Sequence, residues 1–251
     1  MNKYTNAINK VSIVTQMRSG THYLQYALLS SLHCSIFQAN RSGGYSEIST
    51  SDLQRGLYKE NVINIQKKHT RDLEIFFSHY YHYENLKLVN NNPTINIIGF
   101  PLDSFYSDGL AYSSQTFDPT PSIYRVNYTN YRLKFQSKEW DFLEPFMVQN
   151  ATWLESLIEQ KHDNVIRYED FFCNFNYIFK LIKKITGPFI KMPPKPKKNE
   201  NRTYWSNDYD KKFDIFALNK LYNLFYKSIQ YLYPEKINAI EKTISMLEKQ
   251  I

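Results

Sequence analysis

Residues 11–24 read VSIVTQMRSGTHYL, and this stretch decides the fold class. The β-branched run Val11–Thr15 is typical of a buried strand, because such side chains pack well on a pleated surface. The segment after it has helical spacing, with apolar side chains that recur on one face at Tyr23, Leu24, Ala27, Leu28 and Leu32. A strand that passes through a polar turn directly into a helix predicts the first unit of an α/β fold.

The turn Arg18–Thr21 carries groups that suit a phosphate. Backbone N–H groups at a helix start have no partner and carry positive partial charge, so they attract anions. Gly20 allows close approach of the backbone, and Arg18 adds a forked, charged guanidinium. Further side-chain donors are Ser19, Thr21 and His22. The Walker A pattern G-x-x-x-x-G-K-[ST] is absent, and an ordinary strand–turn–helix with a capping hydroxyl is the alternative interpretation.

The rest of the chain alternates between strand and helix patterns. Three more strands are predicted at 61–66 (NVINIQ), 94–98 (TINII) and 164–167 (NVIR). Helices are predicted over 72–83, 151–160, 175–185, 213–233 and, as a short tail helix, 235–251. Strands separated by helices predict a three-layer α/β fold, with a mainly parallel central sheet and helices on both faces. A chain of 251 residues fits one such domain, spanning 1–251.

Two segments interrupt this alternation. Residues 113–140 are rich in Tyr, Ser, Thr and Pro, and predict an irregular excursion. Residues 192–204 (MPPKPKKNENRTY) combine prolines and basic side chains with little apolar content. This second segment is therefore predicted to be a mobile basic loop.

Composition limits the class of protein and its partners. Lys and Arg number 31 against 24 Asp and Glu, and the net charge of +7 favours an anionic partner such as a nucleotide, a sulfated or phosphorylated ligand, nucleic acid or a membrane surface. A hydrophobic content of 42% excludes general disorder. The two cysteines, Cys34 and Cys173, exclude a disulfide framework and a Cys/His zinc site, and favour a reducing compartment. No run approaches about 18 apolar residues and no signal-peptide core begins the chain, so we expect a cytoplasmic protein without a transmembrane segment.

The loop Met17–Leu24 resembles the 5′-phosphosulfate-binding loop of sulfotransferases that use 3′-phosphoadenosine 5′-phosphosulfate (PAPS). The family pattern is roughly P-[KR]-S/T-G-[ST]-x-x-L after the first strand. The resemblance implies that the 5′-phosphosulfate is held by Arg18, Ser19, Gly20, Thr21 and His22. With arginine in place of lysine, the loop is more similar to the carbohydrate and tyrosylprotein branches than to the cytosolic small-molecule branch.

A second segment, residues 65–72 (IQKKHTRD), is similar to the K-[ST]-H segment of the cytosolic sulfotransferases. The resemblance implies that His69 is the general base and that Lys67 contacts the transferring sulfuryl group. An unperturbed histidine titrates near 6.5, which suits a base at neutral pH. A surface histidine in a Lys-rich turn is the alternative, and another histidine or Glu47 remains open as the base.

A third segment, residues 95–112 (INIIGFPLDSFYSDGLAY), is similar to the family's 3′-phosphate motif, roughly R-D-P-R-D-x-x-x-S. Pro101, Asp103 and Ser107 match in register, and the resemblance implies that Ser107 donates to the 3′-phosphate. The two arginines of the motif correspond here to Gly99 and Leu102. A lost arginine–phosphate contact weakens a site by about 1.5–3 kcal/mol unless another basic residue replaces it.

Two further positions complete the resemblance. Residues 164–175 (NVIRYEDFFCNF) follow the family's strand–Tyr–Glu–Asp–helix order, which implies that Tyr168 lies near the adenine. Glu169 and Asp170 are more simply explained as helix-capping residues. Arg202 lies where the family has its second 3′-phosphate loop, so it is a candidate for the missing charge, together with Lys197 or Lys198.

The resemblance implies transfer of a sulfuryl group from PAPS to a hydroxyl or amine acceptor, with PAP as product and no metal. The acceptor implied is a carbohydrate, because of the arginine-type loop and a Tyr204–Tyr233 pattern similar to bacterial glycan sulfotransferases. Residues 113–140 are then the acceptor side of the site. One alternative is a catalytically degenerate fold that binds an anionic ligand, which the presence of Gly99 in place of an arginine supports. A second alternative is a P-loop kinase, but the Walker lysine that such an enzyme needs is absent. No signature of specific nucleic-acid binding is present, and the oligomeric state is open.

Overall fold

The computed structural model describes residues 10–16, 21–32, 34–39, 45–48, 73–80, 92–115, 131–161, 164–189, 192–193 and 207–250. The chain divides into two compact units. The first unit comprises Met1–Ile98 and Asp163–Lys198, and the second comprises Gly99–His162 and Asn199–Ile251. Among the described residues, six strands belong to the first unit, and the elements of the second unit are helices.

The elements are numbered in chain order. The strands are β1 (Lys10–Thr15), β2 (Cys34–Ala39), β3 (Tyr45–Glu47), β4 (Leu73–His79), β5 (Thr94–Ile98) and β6 (Val165–Arg167). The helices are α1 (Thr21–Leu29), α2 (Pro101–Gln115), α3 (Lys138–Glu159), α4 (Asp170–Cys173), α5 (Phe175–Thr186), α6 (Tyr209–Lys212), α7 (Ile215–Leu232) and α8 (Ile237–Glu248), with a 3-10 turn at Pro234–Lys236 before α8.

The six strands form one sheet in the order β3-β2-β4-β1-β5-β6. β1 pairs in parallel with β4 on one side and with β5 on the other, while β2 and β6 extend the parallel part outwards. Of the strands that the structure describes, β3 alone runs antiparallel, against β2. The predicted α/β class with a mainly parallel central sheet is therefore confirmed.

The core of the first unit forms where helices cover the sheet. After Lys10, every residue of β1 is buried, as expected of a central strand covered on both faces. Leu24 and Ala27 of α1 join the same hydrophobic cluster as Phe171 of α4 and Ile182 of α5. Burying a large apolar side chain contributes roughly 1.5–3 kcal/mol, so this cluster contributes strongly to the stability of the first unit.

The second unit is a helical assembly with defined helix starts. Ser137 precedes α3, and its hydroxyl accepts a hydrogen bond from the Trp140 N–H at 3.2 Å. Asp214 precedes α7 and accepts from the Ala217 N–H at 2.7 Å and from the Phe135 N–H at 3.0 Å. Because Asp214 caps a helix and binds the 131–137 segment, it fixes where that segment meets α7. The helix predicted over 213–233 is confirmed, as is the tail helix.

The prediction of a helix over 72–83 is wrong, because Leu73–His79 is strand β4. Its buried residues include Leu73, Ile75 and Phe77, which alternate along the strand, and β4 pairs in parallel with both β1 and β2.

The predicted irregular segment 113–140 overlaps two helices, since α2 continues to Gln115 and α3 begins at Lys138. The predicted strand at 61–66 lies outside the described residues, as does most of the predicted basic loop at 192–204.

Within the described part of the chain, no helix combines the length and the hydropathy that a bilayer crossing needs.

Candidate active site

The candidate site lies at the carboxyl ends of the parallel strands in the first unit. From β1 the chain continues through α1 to β2 on one side of the sheet, whereas β5 is followed by β6 on the other side. In open α/β sheets, ligands bind outside the carboxyl ends of the strands where the connections diverge in this way. β1 ends at Thr15, and Arg18–Thr21, the segment that the sequence predicts to bind phosphate, comes soon after it in the chain.

Thr15, Thr21 and His79 form a hydrogen-bonded cluster at this edge. Thr15 is the last residue of β1 and is in register with His79, the last residue of β4. The Thr15 Oγ1 atom lies 3.1 Å from Nδ1 of His79, and the Thr21 hydroxyl donates to Thr15 Oγ1 at 3.0 Å. Thr15 is fully buried and Thr21 is buried, whereas His79 is partly exposed. The cluster therefore links the start of α1 to a titratable ring at the end of β4.

The cluster is held by the backbone pairing of its strands. The Gln16 N–H donates to the Ile97 carbonyl at 2.9 Å, which continues the β1–β5 pairing one residue past Thr15. On the other side, the Thr15 hydroxyl contacts the Ser78 carbonyl at 3.4 Å. Because Thr15 lies between two paired strands, its side chain has little freedom to move away from His79.

Tyr168 lies just past the end of β6, at the same edge of the sheet. Its backbone N–H donates to the Ile98 carbonyl at 2.7 Å, and its half-buried ring packs edge-on against Phe172 with 5.4 Å between ring centroids. Glu169 occupies the N-cap position of α4, but its side chain makes no capping hydrogen bond. Asp170 is the acidic residue of the first turn and pairs with Arg167 at 3.8 Å.

Ser107 belongs to the second unit, where it is half-buried on α2. Two neighbours from the same motif are structural in this unit. Leu102 is fully buried, and Asp103 forms an ion pair with Lys212, with 2.6 Å between Oδ1 and Nζ. Burial raises the pKa of Asp103 and lowers the pKa of Lys212, while their mutual attraction acts in the opposite direction.

Several predicted site residues lie outside the described residues: Arg18, Ser19, Gly20, Lys67, His69 and Arg202. His22 lies in α1, where only its backbone is described. Of the predicted residues that the structure does describe, Thr21 and Tyr168 both belong to the first unit. Groups of three or more His, Cys, Asp or Glu side chains that could bind a metal do not occur among the described residues.

His79 is not among the site residues named from the sequence, because a helix is predicted over 72–83. The alternating pattern of Leu73, Ile75 and Phe77 was the available signal for a strand, and it would have placed His79 at the strand's end. His79 is the last residue of β4, so it lies at the carboxyl end of a parallel strand, where α/β folds place their ligand sites.

Comparison with known proteins identifies the fold. No protein-family model and no curated protein matches the chain. Among solved structures, the crystal structure of mouse sulfotransferase SULT7A1 complexed with PAP is similar, with a TM-score of 0.51 and 16% sequence identity. The similarity covers 94% of this chain and 89% of that one. The chain has the sulfotransferase fold.

The sulfotransferase fold confirms the expectation drawn from the resemblance of Met17–Leu24, at the level of architecture. At this sequence identity the similarity concerns the fold, so the chemistry of this chain has to be argued from its own residues.

Proposed function

We propose that this protein transfers a sulfuryl group from PAPS to a hydroxyl or amine group of an acceptor, and that the acceptor is a carbohydrate. The observation that carries the proposal is the contact between Thr15 and His79 at the carboxyl ends of β1 and β4, in a chain with the sulfotransferase fold. This contact brings a titratable ring to the strand end that precedes the Arg18–Thr21 segment in the chain. The carbohydrate acceptor rests on the arginine-type loop and the Tyr204–Tyr233 pattern.

Donor binding is proposed for residues around the same turn. Arg18, Ser19, Gly20 and the start of α1 at Thr21 and His22 would hold the 5′-phosphosulfate, since a helix N-terminus and a guanidinium both stabilise phosphate oxygens. Ser107 and Arg202 are proposed to contact the 3′-phosphate, and Tyr168 the adenine. The solved structure of mouse SULT7A1 is a complex with PAP, the product that PAPS leaves, which supports this choice of donor.

We propose His79 as the general base, in preference to His69. As the acceptor's O–H bond breaks, its proton passes to the imidazole and the acceptor oxygen forms a bond to sulfur. The bond from sulfur to the 5′-phosphate oxygen breaks, and PAP departs with the electron pair. Arg18 and Lys67 would stabilise the charge that develops on the leaving phosphate. General base catalysis contributes roughly 10²–10⁴-fold to such a rate.

The test is transfer of labelled sulfate from PAPS to chitobiose, lactose or 4-nitrophenol, measured in parent protein and in three variants. His79→Ala should lower kcat by about 10²-fold or more, whereas His69→Ala is the matched control for loss of an imidazole. Arg18→Ala should weaken donor binding and lower kcat/KM. If His69→Ala abolishes transfer and His79→Ala does not, the base is His69.

The alternatives predict different outcomes in the same assay. A degenerate fold would bind an anionic ligand but transfer no sulfate to any acceptor, and weak binding of PAP would then be attributed to Gly99 and Leu102, which stand where the 3′-phosphate motif has its arginines. A P-loop kinase would turn over Mg·ATP. Sulfate transfer that fails in the parent protein with every acceptor, despite tight PAP binding, would contradict the proposed activity.

A further inference from the structure

Thr15 has three hydrogen-bonding neighbours around one hydroxyl oxygen. They are the Thr21 hydroxyl at 3.0 Å, the Nδ1 atom of His79 at 3.1 Å and the Ser78 carbonyl at 3.4 Å. The Ser78 carbonyl can only accept a hydrogen bond, and Thr21 donates to Thr15. The role of the histidine nitrogen therefore depends on where the single hydroxyl proton of Thr15 points.

Two arrangements of protons are possible. If Thr15 donates to Ser78, its oxygen can accept both from Thr21 and from an Nδ1–H group of His79, and all three contacts become hydrogen bonds. If Thr15 donates to Nδ1 instead, the Ser78 contact is no longer a hydrogen bond. Thr15 is fully buried, and buried polar groups favour the arrangement that satisfies more of them.

We propose that Thr15 is a positioning residue whose hydroxyl accepts the Nδ1–H proton of His79 and so makes Nε2 the basic nitrogen. The catalytic meaning of this inference rests on the proposed function of His79, although the tautomer itself does not. With the proton fixed on Nδ1, the lone pair of the neutral ring is on Nε2, the nitrogen on the far side of the ring from Thr15. A histidine base in the wrong tautomer is a poor catalyst even where its position is unchanged.

The direct test is NMR on the full-length protein labelled with ¹⁵N-histidine, at pH 8.5, where an ordinary imidazole is neutral. Long-range ¹H–¹⁵N correlations distinguish a protonated ring nitrogen from an unprotonated one, and the spectrum of His79→Gln assigns the His79 signals. The parent protein should show a protonated Nδ1 and an unprotonated Nε2. A protonated Nε2 in the parent protein overturns the proposal without any variant at Thr15.

Variants then test whether Thr15 is the cause. Thr15→Val removes the hydroxyl at nearly constant volume and should shift His79 towards the Nε2–H form, whereas Thr15→Ser should keep the Nδ1–H form. Thr21→Val is the matched control, because Thr15 keeps both its lone pairs and the Ser78 acceptor when Thr21 no longer donates. An unchanged tautomer in folded Thr15→Val would show that another group holds the ring. If Thr15→Val does not fold, Thr15→Ala and Thr15→Ser provide the same comparison.

Kinetics separate this inference from the proposed function. With an acceptor that is sulfated, Thr15→Val should lower kcat by about 10–100-fold, part of the factor that base catalysis supplies, and leave the KM for PAPS within a few-fold. Thr15→Ser should restore most of kcat. An Nδ1–H tautomer in a protein that transfers no sulfate would retain the hydrogen-bond inference and reject the function. Sulfate transfer by a protein whose His79 is in the Nε2–H tautomer would retain the proposed function and reject the hydrogen-bond inference.

Discussion

The ammonium group of Lys212 lies 2.6 Å from the Asp103 carboxylate, and the two side chains are only 1% and 12% exposed. The ion pair joins α2 to the end of α6, across 109 residues of sequence. The Lys212 Nζ atom lies 5.3 Å from the ring centroid of Tyr209 and 5.9 Å from that of Tyr106, so two aromatic faces also interact with the cation. A charge that is buried this deeply is costly unless an opposite charge lies beside it, so each member of the pair stabilises the charged form of the other.

Removing one member of this pair should destabilise the second unit strongly. Lys212→Met leaves the Asp103 carboxylate buried without its counter-ion, and we expect a loss of about 3–5 kcal/mol in the free energy of unfolding, measured by urea denaturation. The double variant Asp103→Leu/Lys212→Met should recover most of that loss. Lys211→Met is the control, because Lys211 is exposed and pairs with Asp208 at the surface, so its effect should be small. A Lys212→Met variant as stable as Lys211→Met would contradict the assigned role.

Position 109 has no room for a side chain, because the Tyr131 hydroxyl lies close to it. A methyl group at position 109 would lie 2.5 Å from the Tyr131 hydroxyl oxygen and 3.2 Å from Cδ1 of Leu133. Gly109→Ala should therefore destabilise the protein by about 1–3 kcal/mol, although alanine is intrinsically better than glycine in a helix by about 1 kcal/mol. The measurement is the thermal unfolding midpoint.

Tyr131→Phe provides the matching test of that clash. Among the described residues the Tyr131 hydroxyl has no hydrogen-bond partner, so its removal alone should cost little. In this background Gly109→Ala should be tolerated or stabilising, because the oxygen that it would meet is gone. An equal loss in both backgrounds would mean that another neighbour causes the strain.

Tyr222 should make stability depend on alkaline pH. Burial, followed by the hydrogen bond to Glu241 at 2.8 Å, raises the pKa of its phenol above the ordinary value of 10. The folded protein then holds this proton more tightly than the unfolded chain, so the contribution is complete below pH 10 and is lost as pH rises above it. Tyr222→Phe should cost about 1 kcal/mol at pH 8, since the acceptor Glu241 is exposed.

The difference in unfolding free energy between parent and Tyr222→Phe should shrink between pH 10 and pH 11 in urea titrations. Glu241→Gln keeps an acceptor but removes its charge, so it should show a smaller shift of the same sign. A difference that stays constant to pH 11 would contradict the raised pKa.

Ser107 tests the proposed recognition of the 3′-phosphate. PAP carries that phosphate and AMP does not, so Ser107→Ala should raise the Kd for PAP by about 10-fold or more and leave the Kd for AMP within two-fold. In thermal unfolding, PAP at ~100 times its Kd should stabilise the parent by about 2.7 kcal/mol, a shift of roughly 5–10 °C. If Ser107→Ala raised the Kd for PAP and the Kd for AMP equally, Ser107 would not contact the 3′-phosphate.

The parts of the fold that were predicted from sequence are those with a strong local pattern. β1 and α1 follow from a β-branched run and an uninterrupted helical face, and α7 follows from its amphipathic spacing. β4 was not predicted, because Leu73–His79 also fits a helical face over so few residues. Its strand state depends on pairing with β1 and β2, which are distant in sequence.

The same distinction applies to the candidate site. Arg18–Thr21 stands out locally, since a glycine, a basic side chain and hydroxyls follow a strand. The Thr15–His79 contact does not, because it joins residues 64 positions apart and depends on the register of two parallel strands. The Asp103–Lys212 pair, too, is visible only once α2 and α6 have been brought together.

The lengths of the strands bear on how this sheet behaves towards other chains. The two outermost strands, β3 and β6, have three residues each, whereas the inner four have five to seven. An exposed strand edge is a template for aggregation, and its risk grows with its length. Within the described residues, a three-residue strand forms each edge of the sheet and Glu47 is exposed on one of them, so these two edges offer little backbone on which a foreign strand could assemble.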